Sequence, residues 1–357
     1  MAAILGLGIS HYPPLSLPDE RMSGILRYTL EDPAIPAREK DPASWPETMR
    51  REWADDHGTA AAARHRAAMV ERLAVVRRAL EAFDPDVVLI WGDDQYENFR
   101  EDVIPAFTVC AYPDIDFAPW RHAQRSSMTD GGKPNVWQEG PDKCYRVRGH
   151  PAMARYLAGG LIEADVDIAY AYRPLHHEGF AHAFGNAILY LDYARDGWPW
   201  PTVAVPINCY GRRVISCKGF LTRLGDAVEF DPPSPSPARC MTLGAETARL
   251  LRDSPWRVAV IASSSWSHAF LCDATSRLRP DTAADRTLYD AMVRGDFERW
   301  RDTPLSAFEA AGQQEVLNWC PLLGAMQALG AKLAWSDFVA TDVLNSNKVF
   351  AVYEAAG

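Results

Sequence analysis

Seven apolar runs of strand length, at 3–9, 86–91, 103–110, 167–172, 202–207, 257–262 and 348–353, punctuate this chain, and segments of helical periodicity separate several of them. A strand that is apolar at nearly every position, instead of at every second one, has to be covered on both faces. Alternation of such strands with helices therefore predicts an α/β fold, a central mostly parallel or mixed sheet flanked by helices on both faces. The clearest helix is 59–83, alanine-rich, with apolar residues every three or four positions and Asp84-Pro85 as its stop. Further helices are expected at 151–163, 183–194, 240–252, 284–293 and 313–329. Two stretches break the rhythm: 18–56, charged and proline-punctuated, and 112–150, which contains "DGGKPNVWQEGPD". Excursions of this length in a compact domain serve as lids or substrate walls more often than not. At 357 residues and 48% hydrophobic, the chain suits a single large domain over 1–357 carrying these two excursions.

Charge narrows the function. The net charge is −10 with no basic run, which argues against a nucleic-acid or anionic-membrane surface. No apolar run approaches the length of a membrane span. The start, "MAAILGLGIS", reads as a first strand and not as a signal peptide. Seven cysteines form no CxxC, so a thiolate zinc site is weakly supported and a cytoplasmic location is expected. Twelve tryptophans and thirteen tyrosines fill a core or a subunit interface, or line an aromatic pocket. GxSxG, P-loop and GxGxxG motifs are all missing, and "GLGISH" lacks the glycine spacing of a dinucleotide turn.

Reactive residues collect where strands empty into loops, which is where α/β proteins bind ligands. His11 follows "GLGIS" and precedes Tyr12-Pro13-Pro14, which stops the strand. It is either a functional imidazole or a histidine bonded to a backbone carbonyl. "DVVLIWGDDQYENF" ends in Asp93, Asp94, Gln95, Tyr96 and Glu97, a source of hard oxygen ligands or of a helix cap. His176 and His177 close a third strand, and adjacent side chains on a strand cannot both enter one pocket. His177 is the acid/base candidate, being a group that exchanges protons near neutral pH. His176, Tyr96 and His268 (in "SSSWSH") are the candidate substrate contacts. His182 opens "HAFGNAILYL" and reads as packing or capping. Asp281 and Asp285 in "DTAAD" are caps or carboxylate ligands. Arg121, Arg125, Arg173, Arg212 and Arg213 are available to pair a substrate carboxylate.

The order of segments "GISHYPPL", "DVVLIWGDDQYENFREDVIPAFTV", "HHEGF", "VAVPINCYG", "PPSPSPARCMTLG", "SSSWSHAF" and "GQQEVLNWCPLLGAM" resembles the class III extradiol ring-cleavage dioxygenases, of the protocatechuate 4,5-dioxygenase catalytic-subunit type. The resemblance implies a homo-oligomeric oxidoreductase that cleaves a catechol-like ring, with or without carboxyl or methoxy substituents, with O2. It implies non-haem Fe(II) held by two histidines and a glutamate, with a further histidine as acid/base. It places His11 on the first ligand and His177 on the acid/base. Gln95 falls where the family has its second ligand histidine, and Ala283 where it has the glutamate. Asp94, Gln95 through its amide oxygen, and Asp281, with Asp285 as alternate, are then the expected ligands beside His11, and the altered set admits Mn(II), or no metal, beside Fe(II). A metal-free homologue would retain acid/base chemistry alone (hydrolysis, isomerisation or decarboxylation of a related aromatic or ring-cleavage product).

Overall fold

The computed structural model describes residues 2–123, 135–219 and 222–356. Ten strands are present among them: β1 (Ile4–Ile9), β2 (Val87–Asp93), β3 (Thr108–Cys110), β4 (Ile115–Phe117), β5 (Tyr145–Val147), β6 (Ala169–Ala171), β7 (Thr202–Ile207), β8 (Val258–Ser263), β9 (Leu333–Val339) and β10 (Lys348–Tyr353). Six build the central sheet in the order β7-β2-β8-β1-β10-β9. The first four are mutually parallel, and β10 and β9 close the sheet as antiparallel strands. The expected α/β sheet is therefore present and mixed.

Its core follows from strand alternation. Val87, Leu89 and Trp91 of β2 join one buried cluster with Val258, Val260 and Ala262 of β8. Val88 and Ile90, with Ala259 and Ile261, join a second cluster on the other face. The helices that cover these faces are α1 (Thr59–Phe83), α2 (Pro151–Glu163), α3 (His182–Leu191), α4 (Pro237–Arg252), α5 (Thr282–Arg294) and α6 (Trp319–Leu329). α1 buries Ala62, His65, Met69, Leu73, Val76 and Leu80, a stripe at three- and four-residue spacing, against β1 and β10. α3 packs over β2 and β8 on the same side, while α4 and α6 cover the other.

Two close approaches fix α6. A Cβ on Gly8 would lie 2.2 Å from the Trp319 ring, so glycine in β1 lets the start of α6 settle on the sheet. Where α4 meets α6, a Cβ on Gly244 would lie 1.8 Å from the carbonyl oxygen of Pro321, and one on Gly324 2.0 Å from that of Met241. The backbones of these two helices touch, and only glycine permits it.

Some elements differ from expectation. The run 103–110 yields only β3, because Pro105 offers no N–H to a ladder. β3 pairs in parallel with β6, apart from the six-stranded sheet. β9 is an edge strand that is mostly half-exposed and lacks the continuous apolar run that marks the buried strands. The excursion at 18–56 forms four short helices. That at 112–150 contributes the antiparallel pair β4–β5, and Phe117 of β4 packs on Phe180 with ring centroids 6.0 Å apart.

Candidate metal centre

The carboxyl ends of the parallel strands form one rim. Ile9 pairs with Ser263 and Asp93 with Ile207, so His11, Asp93 and Ser263 emerge side by side. Into this rim project His182, the first residue of α3, and Glu315, from the 3-10 turn Gln314–Asn318 that leads into α6. One ligand atom from each of His11, Asp93, His182 and Glu315 lies within 4.8 Å of all the others. The His11 and His182 rings meet edge to face, with centroids 5.0 Å apart.

Hydrogen bonding determines which atoms face inward. The Ser263 hydroxyl donates to the carbonyl oxygen of Ala183 at 2.8 Å, so its oxygen is left to accept from His11 Nδ1 at 3.0 Å. That places the His11 proton on Nδ1 and leaves Nε2 with a bare lone pair. Nε2 is buried without a hydrogen-bond partner, 3.6 Å from Glu315 Oε2 and 3.9 Å from Asp93 Oδ1. His182 is ordered from the other side: its backbone N–H and Nδ1 both engage the Glu97 carboxylate, at 2.6 and 2.5 Å, so Nε2 turns toward Asp93 Oδ2 at 3.7 Å.

Glu315 is anchored firmly. Its carboxylate accepts from the Tyr210 hydroxyl and, at 2.9 Å, from the Ser265 N–H, and lies 3.3 Å from His268 Nε2. Asn318 donates to Asp93 Oδ1 at 3.2 Å, while Asp93 Oδ2 has no hydrogen-bond partner.

The charges follow. Burial drives the His11 pKa down to about 3, against the pull of Glu315, so the ring is neutral. Burial works to raise Glu315, but His268 and His11 outweigh it and hold this carboxyl well below the usual range. Asp93 is pushed well above that range by burial and by Glu315. Burial opposes charge on His182, yet Glu97 and Asp93 prevail and hold it up at about 10. The bare Nε2 of His11 and the unpartnered Oδ2 of Asp93, with the Glu315 carboxylate beside them, form an acceptor set suited to a divalent cation, which would displace the protons that Asp93 and His182 hold. Two imidazoles with an anionic oxygen are the donors that non-haem Fe(II) takes, so the residues fit such an ion.

The structure does not bring the other expected ligands into this cluster. Asp94 commits its carboxylate to the backbone N–H groups of Glu97, Asn98 and Phe99, as a capping acidic turn does, and burial raises its pKa to about 7. The Gln95 amide donates to the carbonyl oxygen of Gly219 at 3.2 Å. Asp281 caps α5 by accepting from the Ala284 N–H. Asp285 is buried among Ser267, Gln313 and Asn347, and Ala283 sits in α5, away from the cluster. The cluster's carboxylates are instead Asp93 and Glu315, and its second imidazole is His182, which also opens α3.

Among the substrate candidates, His268 is buried against Glu315. His176 is exposed and pairs with Asp102 at 2.9 Å, and Tyr96 is half-buried under the Arg100 guanidinium. His177 is half-buried, accepts from the Gly179 N–H at 3.0 Å, and acts electrostatically on Glu97. Arg121 lies 3.6 Å from Glu178, next to His177. Arg212 and Arg213 pair with Glu309 and Asp273, Arg173 is exposed, and Arg125 lies outside the described residues.

Comparison with known proteins points the same way. Residues 229–351, which include Glu315, match the family model for the catalytic LigB subunit of aromatic ring-opening dioxygenase. The chain is 25% identical over 302 residues to a 2,3-dihydroxyphenylpropionate/2,3-dihydroxicinnamic acid 1,2-dioxygenase of Burkholderia vietnamiensis, covering 76% of this chain and 85% of that one. It is 26% identical to proteins of the same name from Paraburkholderia phymatum, over the same shares, and Paraburkholderia xenovorans, over 74% and 83%. Among the described residues no helix is long and apolar enough to cross a membrane.

Proposed function

We propose that this chain, whose residues 229–351 match the LigB family model, is a ring-cleaving dioxygenase that opens a catechol bearing a carboxylated side chain, with Fe(II) held by His11, His182 and Glu315. The observation that carries the reading is the bare, buried Nε2 of His11 aimed at two carboxylates. When bound, the metal supplies a Lewis-acidic and redox-active centre for the two ring oxygens and O2.

The protein residues then divide the remaining work. His11 presents a neutral nitrogen donor, and His182 would give up its Nε2 proton to become a second; each ring is fixed by a hydrogen bond on its opposite nitrogen. Glu315 contributes the anionic oxygen, kept ionised by His268 and oriented by Tyr210 and Ser265. His11, Asp93 and Glu315 are buried, whereas the His182 side chain is 21% exposed, so substrate enters on the side of His182 and Glu97. His177, half-buried on that side, takes the proton from a substrate hydroxyl and returns it to the ring-opened product. Arg121, which lies 3.6 Å from both Glu178 and Asp142, is the arginine we assign to the side-chain carboxylate. The relatives named for 2,3-dihydroxyphenylpropionate support this choice of substrate class.

Oxygen uptake tests the proposal. Protein loaded anaerobically with Fe(II) is expected to consume one O2 per 2,3-dihydroxyphenylpropionate and to form a ring-opened acid. Replacing His177 with Ala is expected to abolish turnover while metal binding is retained. Stoichiometric metal with no O2 uptake across carboxylated catechols would overturn the substrate assignment, and full activity in the His177 variant would remove that residue from the chemistry.

A further inference from the structure

His182 opens a helix whose following residues point into the core, and a ring at such a position can swing outward. Both oxygens of Glu97 prevent this: Oε2 accepts from the His182 backbone N–H at 2.6 Å and Oε1 engages Nδ1 at 2.5 Å. One carboxylate therefore holds the helix start and the ring together. Glu97 itself is kept in place by its own loop, because its backbone N–H donates to Asp94 Oδ1 at 3.0 Å. The same Asp94 carboxylate accepts from Asn98 and Phe99, which makes the segment after β2 a rigid turn and not a mobile loop. Gln95, where a family histidine is expected, points away to Gly219. In this chain the segment after β2 thus offers no imidazole of its own and instead grips one that arrives from α3.

We propose that Glu97 is a positioning residue that makes His182 a metal ligand: it fixes the proton on Nδ1 and directs Nε2 into the cluster with His11, Asp93 and Glu315. Glu97 and His182 form one unit, and the loss of either removes the same donor from the metal. The inference rests on the metal reading given above.

Chelator-competition titration with Fe(II), under anaerobic conditions, tests it on the full chain. An outer-sphere partner of a metal-bound histidine is worth roughly 10–100-fold in affinity, and Glu97→Ala is expected to weaken binding by that factor. Glu97→Gln, which keeps an acceptor oxygen for Nδ1, is expected to recover part of the loss. In a His182→Ala background, Glu97→Ala is expected to add nothing, because the residue acts only through that ring. Wild-type affinity in Glu97→Ala, or a full additive loss on top of His182→Ala, would overturn the positioning role while leaving the metal centre standing. A wild-type chain that takes up no Fe(II) would overturn both readings together.

Discussion

Two buried carboxylates on this molecule, Asp285 and Asp93, have the same exposure and opposite circumstances: both are 0% exposed. Asp285 receives the Gln313 amide at 2.7 Å, the Asn347 amide at 2.8 Å and the Ser267 N–H at 3.0 Å, so each of its oxygens has a donor. Asp93 receives a single amide at 3.2 Å and keeps Oδ2 unpaired, beside a second carboxylate and a bare imidazole nitrogen. Burial pushes Asp285 up to about 6, and Asp93 is driven up by burial and further by Glu315. A carboxylate that serves the fold is surrounded by donors. Asp93 instead keeps an open lone pair at the rim where we propose that a metal binds.

The contrast breaks first at Glu315, the carboxylate proposed to hold the metal. Glu315→Gln is expected to lower kcat/KM by at least about 10³-fold, beyond the ~10–100-fold that outer partners carry, with circular dichroism unchanged. Retained turnover would mean that Glu315 belongs with Asp285 as a structural group. On stability the order reverses. Asp285→Ala strands three donors and is expected to cost about 2–5 kcal/mol in urea unfolding. Asp93→Asn in the metal-free protein is expected to stay within about 1 kcal/mol of wild type, or to stabilise it, because burial and Glu315 already disfavour charge on this carboxyl and the amide is a neutral group of the same shape. Equal losses in the two variants would erase the distinction.

Gly244→Ala sharpens the role of the scaffold. The new methyl meets the backbone of Pro321, which cannot rotate away, and overpacking of this kind costs about 1–3 kcal/mol. Because α6 carries the turn that holds Glu315, metal affinity is expected to fall with stability in this variant. Affinity unchanged at lowered stability would show that the turn holds its position without the helix.

The smallest effect is one of pH. A histidine raised to about 10 in the fold contributes stability that is complete below its ordinary value of 6.5 and lost as pH rises through about 10. The Glu97 carboxyl, which burial would raise but His182 holds down at about 2, contributes stability that is complete above 4.5 and lost as pH falls through about 2. The Tm gap between metal-free wild type and His182→Gln is thus expected to be widest between pH 4.5 and 6.5 and to narrow on either side. A gap that is flat with pH would mean that this pair is not ionised.

The sheet was legible because its buried strands are apolar at consecutive positions, and helices 59–83 and 151–163 appear with the bounds their periodicity and punctuation imply. β9 escaped because an edge strand need not be apolar throughout. At the site, His11 and the "GDD" turn announced themselves as strand ends. His182 and Glu315 did not, since each opens or precedes a helix, where local pattern suggests capping or packing. Their place at the rim comes from tertiary packing: α3 crosses over β2 and β8, and glycine contacts seat α6 so that its preceding turn meets the same rim. Glu315 lies in "GQQEVLNW", part of a segment that carries the resemblance, and a carboxylate next to a tryptophan-anchored helix start is the available signal.

Anaerobic titration of the purified chain with Fe(II), read by chelator competition alongside Glu315→Gln, tests the central claim most directly. One tightly held ion per wild-type chain, lost in the variant, is the result expected from a cluster built of His11, His182 and Glu315. Binding that is undiminished in the variant, or absent from the wild type, would contradict it.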